Sequence, residues 1–495
     1  MKRALVTFVA TLAVLAASGA ASASWQGPGS GAGWARAESM PAGNKPTTTV
    51  SGRNVTVSWT ASTFPGGLPV NGYLVKRYDG SGNVQTVGAG CAGMIGALTC
   101  TEAAVPSGSW RYTATPQHGA WTGTESTTSA AVSVGSPTLT LSPSNPKVLS
   151  LPSTLSGSIA SFVDGETLRF RLDSTGGSVL AGTVGGTPTP AAVPSGGSAP
   201  ISVTIPAGVA DGSHTVYAVT VPSGESASAG FSLNVSPPAL TALEMFDSNL
   251  NGRVDRVVAT FSDDIVCNAP CTSPWTLSNV PSGGTLSSVS VATNRATLSL
   301  TEGAGAQDTA VGLFGVALSA SPTGVRDADG HQSSFSATAP TDKAGPVPTA
   351  ISDTNVGTDG KMEAGDTLSV TFSEALAAAS VPATASVTET DPNGTGNDTL
   401  AISGVTAGAL DTGSDGYIKN NNSYASFSGS TVVLTGASKT VAVTVGGSCY
   451  SSSGTCAVNI LAGGSGSLSL VPAGSLTDSV GNPAVGSVSR TFKLF

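Results

Sequence analysis

Leu368-Ser369-Val370-Thr371-Phe372-Ser373-Glu374 sets the reading of this chain. Leu368, Val370 and Phe372 fall on one face of an extended segment and Ser369, Thr371 and Ser373 on the other, the period-two pattern of a half-buried strand. The pattern returns at Val257-Val258-Ala259-Thr260-Phe261-Ser262-Asp263, again ending in Phe-Ser-acid. Further alternating runs lie at Val55–Trp59, Tyr73–Tyr78, Trp110–Thr115, Thr138–Leu141, Thr167–Leu172 and Phe231–Val235. Turn clusters such as Pro65-Gly66-Gly67 and Asp79-Gly80-Ser81-Gly82-Asn83 separate them. The expectation is an all-β chain of short strands.

Composition agrees. Charged residues make up 10% of 495, against about 25% in an average soluble protein. Gly occurs 63 times and aromatics are 5%, so long helices and coiled coils are disfavoured. The length suits three or four domains of roughly 100–150 residues. The net charge is −9, with no basic run, which argues against a nucleic-acid partner or a basic membrane-binding patch.

The beginning of the sequence reads as a secretory signal peptide. Lys2 and Arg3 precede an apolar run, Ala4–Ala17, and Ala21-Ser22-Ala23 is a small-x-small cleavage site, placing the cut after Ala23. No later run is long and apolar enough to span a membrane after that cleavage. The six cysteines form three close pairs, Cys91 with Cys100, Cys267 with Cys271 and Cys449 with Cys456. Fifteen pairings exist in principle. Local pairing is the simplest, as disulfides of an oxidising compartment. Zinc would call for CxxC pairs with further Cys or His ligands, which these spacings lack.

The organisation expected is a signal peptide (1–23), an N-terminal arm (24–40) and four modules (41–135, 136–236, 237–345 and 346–495). Module 41–135 resembles a fibronectin type III domain. The matching features are Trp59, Gly72-Tyr73-Leu74-Val75, and Val105-Pro106-Ser107-Gly108 leading into Trp110 and Tyr112. Trp110 stands where that family usually carries its corner tyrosine. Module 136–236 is similar to bacterial Ig-like domains in its pattern. Modules 237–345 and 346–495 resemble the Ig-like domains of S-layer and other bacterial cell-surface proteins. They share the Phe-Ser-acid strand and a late turn, Asp327-Ala328-Asp329-Gly330-His331 and Asp478-Ser479-Val480-Gly481-Asn482, with His331 in the place of Asn. The resemblance implies tandem Ig-like and fibronectin type III β-sandwiches. In the last module, segments 391–398 and 419–422 read as inserted loops.

The sharpest local motif is Asp247-Ser248-Asn249-Leu250-Asn251-Gly252-Arg253-Val254-Asp255. Asp247, Asn249 and Asn251 offer oxygens at alternate positions, Arg253 its carbonyl and Asp255 a further carboxylate, a candidate calcium set. Val258 stands where an EF-hand has its bidentate Glu, and a plain Asx-rich turn uses the same residues, so both readings stay open. Asp353, Asn355, Asp359, Glu363 and Asp366 form a looser counterpart. Ig topology would also gather Asp263 and Asp264 near Asp327 and Asp329, and Glu374 near Asp478 and Asn482, where a cation would stiffen the end of a module.

Catalytic motifs are missing: there is no Gly-x-Ser-x-Gly elbow, phosphate loop or HExxH. His118, His214 and His331 read as exposed turn residues. Trp121, with Trp25 and Trp34 in the arm, is a candidate ligand contact, whereas Trp59 and Trp110 read as core. The expectation is a secreted, non-catalytic bacterial protein of the extracellular or cell-surface space, a spacer, adhesin or wall-associated string whose cofactor would be calcium. Its partners would be cell wall, polysaccharide or another surface protein. The alternative is a carbohydrate-binding accessory of polysaccharide degradation. A third, a hydrolase in the enlarged last module, would need two carboxylates about 5–10 Å apart in a cleft.

Overall fold

The computed structural model describes residues 38–392, 396–452 and 455–495. The signal-peptide reading of 1–23 and the arm residues Trp25 and Trp34 lie outside them. The described chain is all-β. Helix among these residues is confined to one turn, Cys456–Asn459, and two 3-10 turns, Pro281–Gly283 and Ala378–Ser380. Among the described residues, no helix is long and apolar enough to cross a membrane.

The chain divides into two compact units, residues 1–235 and 236–495. Each contains two separate hydrophobic cores. In the first unit, one core gathers Val55, Val57, Trp59, Tyr73, Val75, Tyr112 and Ala114. It lies between a sheet of Thr47–Ser51, Asn54–Ser58 and Thr99–Glu102 and a sheet centred on Gly72–Tyr78 and Gly108–His118. The next core, around Leu155, Phe162, Phe170, Val203 and Phe231, lies between a five-stranded and a six-stranded sheet. Apolar residues of each strand point inward at every second position, so sheet-on-sheet burial follows from the alternation.

The second unit repeats one design twice. Arg256–Phe261 pairs antiparallel with Leu240–Phe246 and Arg295–Thr301, and Thr367–Phe372 with Pro348–Thr354 and Thr440–Thr444. Both first pairings carry a register shift beside the phenylalanine, at Leu240/Ala242 opposite Phe261 and at Pro348/Ala350 opposite Phe372. The Phe-Ser-acid motif has a physical cause. Ser262 donates its N–H to the Ala239 carbonyl (2.8 Å) while its hydroxyl accepts the Ala239 N–H (3.0 Å). Ser373 does the same to Val347, at 2.8 and 3.0 Å. The serine thus satisfies the backbone where the register shifts, and phenylalanine fills the core beside it. In the last core the thirteen-residue strand Ser423–Thr435 pairs with Thr440–Thr444 at one end and with Thr384–Asp391 and Ser448–Ser451 at the other.

All three local cysteine pairs are disulfides, with Cα–Cα distances of 5.3, 5.9 and 6.1 Å in chain order.

Candidate functional site

The most elaborate polar chemistry sits where two cores of one unit meet. In the first unit the tight turn at Gly52, between Thr47–Ser51 and Asn54–Ser58, has φ +59°. A Cβ there would stand 2.5 Å from Asp164 Oδ1 and 3.1 Å from the Gly197 Cα, so glycine permits the approach to the second core's loops. The neighbouring Arg53 is 6% exposed. Its guanidinium donates to the Val105 carbonyl (3.0 Å) and pairs with Glu225. This is a charge removed from water and partnered from the adjacent module.

The joint of the second unit is richer. Thr309 Oγ1 lies 2.7 Å from Ser373 Oγ and donates to Glu374 Oε1 at 2.7 Å. Lys439 donates to the Ser373 carbonyl (2.7 Å) and lies 3.4 Å from Asp308. Asn482 Nδ2 bonds the carbonyls of Asp342 (3.3 Å) and Ala344 (3.2 Å). Asp342, Glu374 and Asp478 each bring a carboxylate oxygen within 4.8 Å of the others. Burial first, then Asp342, Asp478 and Asp308, push Glu374 up to about 8, against the opposing Thr309 hydrogen bond. Burial and Asp478 raise Asp342 to about 6. The structure therefore brings together Glu374, Asp478 and Asn482, the expected trio, and adds Asp342. Three oxygens at this spacing can hold a proton or a cation between them.

In the other copy, Val266, two residues after Asp264, pairs with Arg326 beside the late turn. The corresponding group further up the chain is Asp327, Asp329 and His331; Asp263 and Asp264 are not in it. Asp263 is exposed and accepts the Ser262 hydroxyl instead. The late turn itself is the same in both copies. Asp327 Oδ1 accepts the N–H groups of Asp329 and His331, both at 2.9 Å, and Asp478 Oδ1 accepts those of Val480, Gly481 and Asn482. His331 Nδ1 lies 2.7 Å from Asp327 Oδ2, and Asn482 Nδ2 donates to Asp478 Oδ2 at the same 2.7 Å. The imidazole replaces the amide in the bond to the aspartate of the turn.

Loop 247–255 spends its oxygens on its own backbone. Asp247 accepts from Asn251 and Gly252, Asn249 Oδ1 from Asn251, Asn251 Oδ1 from Arg253 and Asp255 from Ser248. The amides of Asn249 and Asn251 bind Glu302. The arrangement is that of an Asx-rich turn, and calcium would have to exchange these bonds. The loop is also part of the joint: a Cβ on Gly252 would meet Ser373 Cβ at 3.4 Å, and one on Gly486 the Leu250 carbonyl at 2.7 Å. The looser set is similarly engaged. Asp366 accepts from Val356 and Glu363, Glu363 from Thr358, Asp359 pairs with Lys493 and Asp353 with Arg490, and Asn355 donates to Thr358.

The histidines are not free turn residues. His118 meets the edge of Phe64 at 5.2 Å, and His214 stacks on Phe231 while bonding Asp173 and the Ala210 carbonyl. Trp121 is 72% exposed. Trp59 is core, and half-buried Trp110 donates its indole N–H to the Pro106 carbonyl at 2.7 Å with the Arg77 guanidinium over its ring. The indole thus supplies a corner bond four residues back.

Sequence reasoning missed a pair of exposed aromatics. Tyr424 (42% exposed) and Tyr450 (66%) occupy neighbouring strands, with Tyr450 opposite Ser426 and therefore diagonal to Tyr424. The alternation Tyr424-Ala425-Ser426-Phe427, with small and aromatic residues buried at 425 and 427, was the available signal.

The class defined by these strands and cores is a tandem array of Ig-like and fibronectin type III β-sandwiches. Among solved structures, the chain is similar to the FN1-FN3 domains of chicken CNTN1 (10% identity, 61% of this chain and 97% of that one, TM-score 0.18). It is also similar to the N-terminal eight Ig domains of Down Syndrome Cell Adhesion Molecule (10% identity, 92% of this chain and 55% of that one, TM-score 0.21). A three-Ig fragment of titin matches at 12% identity, over 63% of this chain and all of that one, with TM-score 0.21. No family model and no curated protein matches the chain.

Proposed function

We propose that this chain is a secreted, non-catalytic structural or adhesive string of the bacterial cell surface, built to hold its modules at fixed angles within each unit. The observation that carries the reading is the chemistry of the joints. Arg53 with Glu225, Lys439 with Asp308, and Thr309 with Ser373 and Glu374 cross from one core to the next where a passive linker would have none of them. Interfaces that bury charged and hydrogen-bonded groups resist bending, because opening them strands those groups. Three disulfides suit an oxidising exterior. The boundaries near 41–135, 136–236, 237–345 and 346–495 belong to the same proposal.

Small-angle scattering of the mature chain tests it. The double variant Gly52→Ala, Lys439→Ala is expected to retain its circular dichroism but scatter as a more flexible particle. A profile superimposable on wild type would refute the stiff-joint reading.

A carbohydrate-binding role is favoured by Tyr424 and Tyr450, two exposed rings side by side on an outward sheet face, with Trp121 as a further candidate contact. Co-sedimentation with cell walls and a panel of insoluble polysaccharides distinguishes the two. Binding blocked by one soluble sugar and lost in Tyr450→Ala supports carbohydrate recognition; wall binding that ignores sugars and survives the variant supports the structural reading.

A further inference from the structure

The enlarged last module hides a second acidic group, independent of the joint. Strand Thr384–Asp391 turns Ala385, Val387, Glu389 and Asp391 inward. The first two are ordinary core residues. The last two carry carboxylates into the same interior, where Glu389 is 0% and Asp391 2% exposed. Asp398, also 0% exposed, precedes the partner strand Thr399–Ile402. Its Oδ2 accepts three backbone N–H groups, from Gly416 (3.0 Å), Tyr417 (2.6 Å) and Ile418 (3.0 Å). That triple bond fixes the carboxylate and leaves Oδ1 buried with no hydrogen-bond partner among the described residues. Asp415 stands immediately before those three N–H groups and is exposed. Asp391, Asp398 and Asp415 each bring an oxygen within 4.8 Å of the others.

A second observation points to a ligand. Neither oxygen of Glu389 has a hydrogen-bond partner among the described residues, although the side chain is wholly buried and Asp398 is its foremost charged neighbour. A buried carboxylate with no donor is among the costliest groups a core can hold. With Glu389, the group Asp391, Asp398 and Asp415 makes four carboxylates, and Asp366 adds further negative charge beside Glu389. A single proton offsets one charge of the four, whereas a divalent cation offsets two and pairs the orphaned oxygens as well.

We propose that Asp391, Asp398 and Asp415 form a calcium site in the interior of the last module, backed by the buried carboxylate of Glu389. The donors are all carboxylate oxygens, with no His or Cys among them, which selects a hard cation. Calcium accepts six to eight oxygens in irregular geometry, whereas magnesium demands a near-ideal octahedron. The ion would tie the end of strand Thr384–Asp391 and the start of Thr399–Ile402 to the turn at 415–418. This inference does not depend on the stiff-joint reading.

The test uses the mature full-length chain, stripped with chelator and titrated with calcium chloride by calorimetry. Wild type is expected to bind with sub-millimolar affinity and to melt at a higher temperature with calcium. Asp415→Asn, at an exposed position that leaves the core intact, should lower the affinity of one site at least tenfold. Asp255→Asn, in loop 247–255, should leave that site unchanged. Terbium gives a second readout, because Tyr417, whose N–H bonds Asp398, is placed to sensitise its luminescence. The signal should fall in Asp415→Asn and persist in Asp255→Asn. No calcium heat up to 5 mM, or Asp415→Asn binding as wild type in both assays, would overturn the proposal.

Discussion

Replacing Glu374 by glutamine isolates the electrostatic cost of the joint in the second unit. The carboxyl is 4% exposed, and burial reinforced by Asp342, Asp478 and Asp308 raises it from 4.5 to about 8. Lys439, at the same joint, is held by Asp308 and the Ser373 carbonyl. The folded state binds this proton more tightly than the unfolded state, so unfolding releases it. Stability from this group is therefore complete below about pH 4.5 and falls as pH rises towards about 8. The gap sets a ceiling of about 5 kcal/mol, at about 1.4 kcal/mol per pKa unit. Asp342, raised to about 6, contributes with the same sign. Because the carboxylates share protons, the realised loss is smaller, of the order of 2–3 kcal/mol. The amide in Glu374→Gln retains an oxygen to accept the Thr309 hydroxyl but has no charge to lose. Scanning calorimetry of the mature chain in chelator should find the variant within about 1 kcal/mol of wild type at pH 5 and about 2–3 kcal/mol more stable at pH 8. Parallel pH profiles, or a variant less stable at pH 8, would refute the reasoning.

Three further perturbations probe the same architecture. Trp110→Phe keeps most of the ring but removes the donor to Pro106, so it should cost about 1 kcal/mol in urea denaturation, with no loss contradicting the corner-bond assignment. Gly52→Ala places a Cβ against Asp164 at φ +59°; a loss of more than about 1 kcal/mol and faster limited proteolysis between the two cores of the first unit are expected. His331→Asn installs the residue used at 482 and should change the melting temperature by under about 2 °C, whereas His331→Ala, which removes the bond to Asp327, should lower it by several degrees. Equal effects of the two would show that the bond to Asp327 is not what the position requires.

Strand positions were legible because burial on one face imposes period two, and few helix formers compete. Leu368, Val370 and Phe372 announced their face directly. The reason for Ser373 was not legible, since its bonds are to Val347, a residue placed by a register shift that no local pattern encodes. Glu374 and Asp478 were expected together because Ig topology returns those two loops to one end. Asp342 was not, since it arrives from the preceding module. Loop 247–255 shows the limit of motif reading. Oxygens at alternate positions serve a metal and an Asx turn equally, and the long-range partner of the two amides, Glu302, is not encoded in the local pattern.

The contrast between Glu374 and Glu389 carries the argument one step further. Both are acids on strands of the same module or at their ends, and both are raised to about 8. Glu374 has a hydroxyl donor and lies at a joint beside a lysine bound to Asp308, so a neutral acid there is chemically complete. Glu389 has no donor among the described residues, and its charged neighbours are Asp398, one oxygen of which also lacks a donor, and Asp366. Protonation makes the first site whole and leaves the second deficient. A chain that used buried acids only as neutral packing would have no reason to aim the three N–H groups of residues 416–418 at Asp398, since such donors favour the charged carboxylate. Three N–H groups aimed at a carboxylate whose other oxygen is buried with no donor among the described residues are what a bound calcium ion would complete and a proton would not.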